Sequence, residues 1–349
     1  MERILKIRPA DERAAEAARI KWNSIAKPLG SFGDLEDLVG KIAAMQGTAQ
    51  VDISRRTAVV MCADHGVVAE GISQSGQDVT ALSTVAIAEG RSNINAVASA
   101  YGVDVIAVDL GVSCDYESDA VIRRKIARGT GDIAYERAMT REQAEEAICI
   151  GMDIVRDLKA AGTKIIVTGE MGIGNTTIAS AMAAVYLGLP AAEVTGRGAG
   201  LTTRMLMHKI EIVDQAIQMH QPDPRDAVDV LSKVGGFEVA GMAGLFLGGA
   251  VYGIPVIIDG VISAAAAYTA YLLNPLSIQY MLAGHLPAEH AGALLLEKLA
   301  LRPLIDAHLR LGEGTGGILL LPLLDGALSL YRNSHTFDGL GMEAYETLV

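Results

Sequence analysis

The segment TKIIVTGEMGIGNTTIASA, residues 163–181, decides the fold prediction because it joins a β-branched apolar run to a helix-like stretch through a glycine-rich turn. Three other runs are just as continuously apolar: TAVVMCA (57–63), VDVIAVDLG (103–111) and PVIIDG (255–260). Such runs are typical of parallel strands that are covered on both faces. We therefore expect the four segments to be strands of one buried sheet.

Alanine-rich stretches of helical length separate these runs, at 79–100, 140–161, 175–188, 204–219 and 235–252. Alternating strands and helices indicate βαβ units, which predict an α/β protein with a Rossmann-like parallel sheet flanked by helices. Helical segments near both ends of the chain predict a smaller helical lobe. The predicted division is a Rossmann-like core at 45–280 and a lobe from 1–44 plus 281–349, which carries a GEGTG loop.

Composition excludes several classes of function. The 349 residues are 50% hydrophobic, which is enough for a large core, and the net charge of −12 argues against general binding to nucleic acid or to an anionic membrane surface. The three cysteines have neither disulfide-framework nor zinc-site spacing. The first residues lack an apolar signal core, and Pro255, Asp259 and Gly260 break the apolar run from Ile254 to Leu273, which is therefore not expected to span a membrane. We expect a cytoplasmic protein.

Ligands of such sheets bind off the carboxyl ends of the strands. Polar or glycine-rich residues follow three of the predicted strands: ADHGVVAEGISQSGQDVT (63–80), GEMGIGNTT (169–177), and Asp259 with Gly260. GEMGIGNTT (169–177) offers backbone and hydroxyl donors to a phosphate at a helix N-terminus, or alternatively a simple Asn/Thr N-cap. It matches neither a Walker A loop nor GxGxxG, and no GxGxxG follows the first strand, so a dinucleotide-dependent oxidoreductase is disfavoured.

A second glycine-rich turn, TGRGAGLTTRMLMHKI (195–210), enters a helix that carries Lys209. Two such turns and one lysine would suit a sugar phosphate, with donors from backbone amides and a charge from the ammonium group. A single lysine on a helix is more often solvated, so the motif alone leaves both interpretations open.

The loop AHLRLGEGTGG (307–317) places one carboxylate, Glu313, among glycines that let the backbone approach a ligand. The spacing fits a general base, and it fits equally an acidic residue that caps the next helix. Asp64 and His65, in ADHGV, have no partner at metal-ligand spacing, so we predict no metal site.

Taken in order, these strings resemble those of the nicotinate-nucleotide:dimethylbenzimidazole phosphoribosyltransferases. The strings are KPLGSFGDLEDL (27–38), ADHGVVAEGIS (63–73), GEMGIGNTT, QPDPRDAVDVLSKVGGFEVAGMAG (221–244), PVIIDGVIS (255–263) and LRLGEGTGG (309–317). The resemblance covers almost the whole chain. It implies transfer of 5-phosphoribose from nicotinate mononucleotide to an aromatic acceptor, with inversion from the β to the α anomer, for cobamide biosynthesis and without a metal or cofactor.

The resemblance also implies residue roles. Glu313, in the GEG motif, is the expected base, and Glu170 is the second functional carboxylate. The residues expected at the phosphoribose are Gly172, Gly198, Lys209 and Asp259, with Arg310 close by. Those expected at the acceptor are Ser75, Ser83, Met171 and Leu311.

The chain departs from its relatives at three positions. Many relatives carry Ala-Met/Tyr-Pro-like residues in the segment before a Val-Thr pair, where this chain has Gly76. Three positions after that threonine they carry a glutamine that contacts the benzimidazole, where this chain has Ser83. Pro287 stands where relatives carry a serine near the phosphate. The shorter side chain at 83 suggests a different acceptor, such as adenine or a phenol like p-cresol. We expect small-molecule substrates, no nucleic acid or membrane partner, and a homodimer or a heterodimer with a homologous chain. The alternative function is a non-catalytic or half-active subunit that completes such a heterodimer.

Overall fold

In the computed structural model, which describes residues 1–345, the strands form a parallel six-stranded sheet with the order β3-β2-β1-β4-β5-β6. This is the strand order of a doubly wound Rossmann sheet. The strands are β1 (Arg56–Ala63), β2 (Val103–Gly111), β3 (Ile122–Arg123), β4 (Ile165–Met171), β5 (Val256–Ile258) and β6 (Met281–Ala283). The predicted α/β class and Rossmann-like sheet are confirmed.

Helices connect the strands and flank the sheet. They are α1 (Glu12–Ser24), α2 (Asp34–Gln46), α3 (Asp78–Ala88), α4 (Asn93–Ala100), α5 (Arg141–Ala160), α6 (Asn175–Leu187), α7 (Ala191–Val194), α8 (Thr203–His220), α9 (Ala227–Val234), α10 (Phe237–Tyr252), α11 (Val261–Leu273), α12 (His290–Lys298), α13 (Thr315–Ile318), α14 (Leu320–Asn333) and α15 (Phe337–Leu340). Short 3₁₀ helices lie at Glu2–Lys6, Gly66–Glu70 and Pro275–Tyr280. No helix among residues 1–345 is both long and apolar enough to cross a membrane.

The core forms around β1 and β4, the two central strands, and around helix α10, which is buried along almost its whole length. Helix α10 packs on β1, β2 and β4 and against α5 and α11. Glycines allow the approach to α5, because a Cβ at Gly244 would overlap the Ile148 carbonyl oxygen and one at Gly151 would overlap that of Gly241. The sheet is thus covered closely by helices, as parallel sheets require.

Three details differ from the sequence prediction. The stretch 79–100 forms two helices, α3 and α4, because the chain turns at Gly90, which has a φ of 77°, and restarts with a capping box at Ser92. Strands β3 and β6 were not predicted, since two and three residues are too few to show periodicity. The apolar stretch 293–309, whose composition predicts a helix leading into the GEGTG loop, is helical only to Lys298.

The chain ends pack together, as a lobe from both termini would require. Helix α2 contacts α1 and α14, the rings of Trp22 and Tyr331 lie 4.9 Å apart, and Ile25 pairs with Thr336 in an isolated bridge. The predicted division into a core at 45–280 and a lobe from 1–44 plus 281–349 stays a prediction; strand β6, at the start of the second lobe segment, is paired in the sheet. The last four residues of the predicted lobe, 346–349, lie outside the described residues.

Candidate active site

A cavity of about 210 Å³ opens at the carboxyl ends of β4 and β5, next to the point between β1 and β4 where the strand order reverses. Ligands of doubly wound sheets bind in this crevice. Eight residues predicted from the sequence line it: Glu170, Met171, Gly172, Gly198, Asp259, Arg310, Leu311 and Glu313. The topology therefore brings four distant segments of the chain to one site.

Glu313 has an unusual backbone, with a φ of 62° between Gly312 at 87° and Gly314 at 100°. A side chain at positive φ is strained and persists only where the surroundings hold it. Here the loop presses on β4: a Cβ at Gly169 would overlap the carbonyl oxygen of Glu313. The glycine in the strand is thus needed for the position of the carboxylate.

The Glu313 carboxylate is half-buried and contacts the N-terminus of helix α4. Its Oε2 accepts from the Ile94 backbone N–H at 3.0 Å, and its Oε1 accepts from the Asn93 amide at 3.2 Å. The positive end of the helix dipole favours a carboxylate there. Glu313 therefore caps an earlier helix, and not the next one, while also lining the cavity. An ionised carboxylate keeps lone pairs for a further proton or donor.

Glu170 lies deeper, with only 8% of its surface exposed. Burial, followed by the charges of Asp259 and Glu238, raises the pKa of Glu170 well above its ordinary value; the Glu313 backbone N–H and the Asn175 amide oppose the shift. A Cβ at Gly312 would lie 2.7 Å from its Oε1, so the GEG loop packs directly on this carboxyl group. The raised pKa favours a neutral carboxyl group, which can donate a hydrogen bond.

Asp259, at the end of β5, fastens the GEG loop. Its Oδ2 accepts from Gly314 N–H at 3.2 Å and its Oδ1 from Gly317 N–H at 2.8 Å. The Nε2 atom of His285 lies 3.5 Å from the same Oδ1. A buried carboxylate is tolerated because these donors compensate its lost hydration.

Lys209 is almost completely buried, with 1% of its surface exposed, so it is not a solvated lysine. Its Nζ donates to Thr176 Oγ1 at 2.7 Å, and Thr176 itself lines the cavity. Burial lowers the pKa of Lys209 to about 8, although Glu289 opposes the shift. A Cβ at Gly198 would lie 3.6 Å from the ammonium nitrogen, so the second glycine-rich turn passes beside it.

Helix α6 begins at the cavity after the turn GEMGIG, with Gly174 as its N-cap at a φ of 97°. The predicted alternative of an Asn/Thr N-cap is wrong: the Asn175 amide bonds to Glu170, and the Thr176 hydroxyl accepts from Lys209. Gly172 admits no side chain, since a Cβ there would overlap the Ala63 carbonyl oxygen of β1. The positive end of this helix therefore faces the cavity without a side-chain cap, as anion sites do.

Ser75 and Ser83, two of the predicted acceptor residues, do not line this cavity. Ser75 is exposed in the loop after residue 71, and its neighbour Gln74 donates to the Gly200 carbonyl of the second glycine-rich turn at 2.8 Å. Ser83 lines another cavity, of about 710 Å³, beside Tyr116. Both positions remain predictions.

Sequence reasoning missed several polar residues of the site, among them Asn93, which bonds to Glu313, and His285 and Glu289, which line the cavity. The string GHLPAEH (284–290) contains two of them. Strand β6 delivers this string to the same sheet edge as Asp259. In the described part of the chain, no three His, Cys, Asp or Glu side chains are grouped as metal ligands would be.

Comparison with known proteins identifies the family of the chain. A family model described as "Phosphoribosyltransferase" matches residues 7–341. A nicotinate-nucleotide–dimethylbenzimidazole phosphoribosyltransferase from Acetivibrio thermocellus is 43% identical over 94% of both chains. One from Clostridium acetobutylicum is 39% identical over 100% of this chain and 99% of its own.

The crystal structure of CobT from Thermus thermophilus matches with a TM-score of 0.89 and 36% identity, covering 95% of this chain and 100% of its own. Sequence and structure thus agree over nearly the full length of each relative. The chain therefore belongs to the family of the nicotinate-nucleotide–dimethylbenzimidazole phosphoribosyltransferases and is an enzyme of the pentosyltransferase class.

Proposed function

We propose that this enzyme transfers 5-phosphoribose from nicotinate mononucleotide to an aromatic base, giving an α-ribotide and nicotinate for cobamide biosynthesis. The observation that carries the proposal is that Glu313 lines the same cavity as the turns at Gly172 and Gly198, behind which Lys209 is buried. The names of the relatives support both the donor and dimethylbenzimidazole as acceptor.

The phosphate of the donor belongs at the Lys209 end of the cavity. The ammonium group there bonds to a neutral hydroxyl, and the N-terminus of α6 adds oriented N–H groups. Arg310 lines the same cavity and can add a second positive charge. A dianionic phosphate would stabilise the charged form of Lys209, because an adjacent anion raises the pKa that burial has lowered.

The reaction itself needs a base but no acid. The bond between C1′ and the pyridinium nitrogen breaks, and its electron pair neutralises the ring as nicotinate leaves. The unprotonated ring nitrogen of a benzimidazole bonds to C1′ from the opposite face, and the proton on the second ring nitrogen passes to Glu313. A phenol would bond through its oxygen and give Glu313 its O–H proton. The two donors from α4 orient this carboxylate, and general-base catalysis of this kind contributes roughly 10²- to 10⁴-fold.

Glu170 is placed to bind the ribose. With its pKa raised by burial, the neutral carboxyl group would donate to a ribose hydroxyl or to the ring oxygen. Its position under Gly312 also keeps it beside the base, so that C1′ would lie between the two carboxyl groups. Asp259 lines the cavity as well, but its oxygens already accept from the GEG loop.

The acceptor belongs at the apolar mouth formed by Met171 and Leu311, the latter 57% exposed. Because Ser83 lacks the amide of the glutamine in relatives, a phenol such as p-cresol is an alternative acceptor to dimethylbenzimidazole. Ser75 would contact the acceptor from its own loop, which the hydrogen bond from the Gln74 amide to the Gly200 carbonyl holds beside the second glycine-rich turn. A cytoplasmic location and a homodimer, or a heterodimer with a homologous chain, are part of the proposal.

The test is a product assay with the purified chain, nicotinate mononucleotide and one acceptor at a time: dimethylbenzimidazole, adenine, phenol or p-cresol. We expect an α-ribotide of the mass of the acceptor plus phosphoribose, in equal amount to released nicotinate. Formation of product only after a homologous chain is added would support the half-active alternative. If no acceptor gives product with or without that chain, the proposal is wrong.

A further inference from the structure

His285 and Asp259 form a buried pair on the wall of the cavity, and 2% of each residue is exposed. The His285 Nδ1 atom lies 3.1 Å from the Leu286 carbonyl oxygen, and Nε2 lies 3.5 Å from Asp259 Oδ1. Nδ1 is within hydrogen-bonding distance of a carbonyl oxygen and Nε2 is within ion-pair distance of a carboxylate, and an imidazole carries an N–H on both nitrogens only when it is protonated. The geometry therefore suits an imidazolium ion.

The segment that follows β6 also holds the chain on both sides of Glu313. Upstream, Leu286 N–H donates to the Ile305 carbonyl at 2.8 Å and Ala288 N–H donates to the Leu309 carbonyl at 3.1 Å. Downstream, Asp259, the partner of His285, accepts from Gly314 and Gly317. The strained residue 313 is thus fastened before and after its own position.

The imidazole ring also packs tightly on the loop. A Cβ at Gly316 would overlap His285 Cδ2, and one at Gly284 would lie 2.8 Å from Gly317 Cα. Close-packed interiors transmit displacement because no free volume absorbs it. Movement of the ring would therefore move the turn that sets the backbone of Glu313.

Charged groups around the ring agree with this arrangement. Burial by itself would lower the pKa of His285, but Asp259, the Leu286 carbonyl and Glu289 outweigh it, so the pKa is raised above its ordinary value of 6.5. Asp259 faces the ring from the end of β5, and Glu289 faces it from the segment before α12. Beyond them, Glu170 lies near Asp259, and Arg310 and Lys209 lie near Glu289.

We infer that His285 is a positioning residue for Glu313: its imidazolium holds Asp259, and through Asp259 the GEG loop, in the geometry that directs the base at the acceptor. The inference rests on the proposed function, since it assigns the loop a catalytic role. His285 would thus contribute to the reaction without contacting the reacting atoms.

Two substitutions separate the contacts of the ring. In His285→Gln the amide nitrogen falls near the position of Nε2 and keeps the donor to Asp259, whereas in His285→Asn it falls near Nδ1 and keeps only the contact with Leu286. We expect His285→Asn to lose kcat by about 10²-fold, the scale of a displaced catalytic group, with nucleotide binding changed less than about twofold. His285→Gln should restore most of kcat.

The pH dependence of kcat is a second readout, which can be compared between the wild type and the active variant His285→Gln. In the wild type, kcat at saturating nucleotide should fall as the pH rises through the raised pKa of His285, because the deprotonated ring gives up one of its two donors. In His285→Gln this limb should be absent. A wild-type profile in His285→Gln, or full kcat in His285→Asn, would overturn the inference.

Amide hydrogen exchange distinguishes this failure from failure of the proposed function. We expect Gly314 and Gly317 to exchange faster in His285→Asn than in the wild type or in His285→Gln, whatever the acceptor. Equal exchange in all three proteins would contradict the coupling. Faster exchange without any product from the acceptor panel would leave the coupling standing and reject the phosphoribosyl transfer.

Discussion

Glu313 is held by contacts on every side: a left-handed backbone, a glycine in the neighbouring strand and two donors from α4. At the scale of single residues, the site depends on such close fits more than on any one strong interaction. Glu313 can hold its carboxylate in this position only because Gly169, which has no side chain, leaves space for the backbone carbonyl oxygen of Glu313.

Gly169→Ala tests that fit. The added methyl group overlaps the Glu313 carbonyl oxygen, so the loop must move, and we expect kcat to fall by about 10²-fold. Gly326→Ala is the matched control, because this exposed position in α14 has open space around it. Steady-state kinetics on both variants measure the effect. Equal kcat values for the two would show that the position of the loop does not matter.

Lys209 predicts a pH effect on binding. Burial lowers its pKa to about 8, and the charged form that a phosphate requires exists below that value. Since kcat/KM reports the free enzyme, kcat/KM for the nucleotide should decline as pH rises through about 8. In Lys209→Arg, which keeps its charge, that limb should disappear. A flat wild-type profile across that pKa would refute this assignment.

The sequence predicted part of this residue-level picture. The glycine-rich string at the end of β4 predicted a phosphate-binding turn beside Glu170, because ligands of parallel sheets bind at the carboxyl ends of the strands. The resemblance to the family, and not the local pattern, implied that Glu313 and Lys209 belong to the same site. Asn93 and His285 could not be predicted in the same way. Their roles arise from helix α4 packing on α13 and from the short strand β6, and neither contact leaves a local pattern in the chain.

At the scale of elements, the long strands and helices were predictable because each carries many residues of one periodicity. β1 and β2 agree with their predicted bounds within one residue, and α5, α6, α8 and α10 agree within two. The chain turn at Gly90 and the unwound segment after Lys298 were missed. The turn at Gly90 has local causes, a glycine at positive φ and the capping box at Ser92, which the surrounding apolar pattern does not reveal. The segment after Lys298 instead depends on tertiary contacts, because its carbonyls at Ile305 and Leu309 accept from the segment after β6.

The packing of α5 on α10 gives an element-level prediction. Gly244→Ala forces a methyl group against the Ile148 carbonyl, and overpacking of this kind costs about 1–3 kcal/mol. Gly40→Ala, in helix α2 with open space around it, should stabilise the protein by roughly 0.5–1 kcal/mol. Chemical denaturation of both variants gives the comparison. Equal midpoints would contradict the close helix contact.

At the scale of the whole molecule, the cavity exists only when distant parts of the chain are folded together. Strands β4 and β5, the segment after β6 and the loop before α13 each supply part of its lining. A ligand that spans these parts binds the folded state and not the unfolded one. Binding therefore stabilises the entire fold.

Nicotinate mononucleotide should raise the melting temperature, corresponding to about 2.7 kcal/mol at a concentration of about 100 Kd. The nucleoside that lacks the phosphate, at the same concentration, should raise it far less, because it leaves the Lys209 end of the cavity unused. Differential scanning fluorimetry measures both shifts. Equal shifts would mean that the phosphate does not bind where we place it.

The most direct measurement of the central claim is turnover by Glu313→Gln beside binding of the nucleotide to the same protein. We predict that nicotinate release and ribotide formation fall by at least about 10²-fold, while the nucleotide Kd stays within about twofold of the wild-type value. Ribotide formation by Glu313→Gln at the wild-type rate would contradict the assignment of this carboxylate as the base.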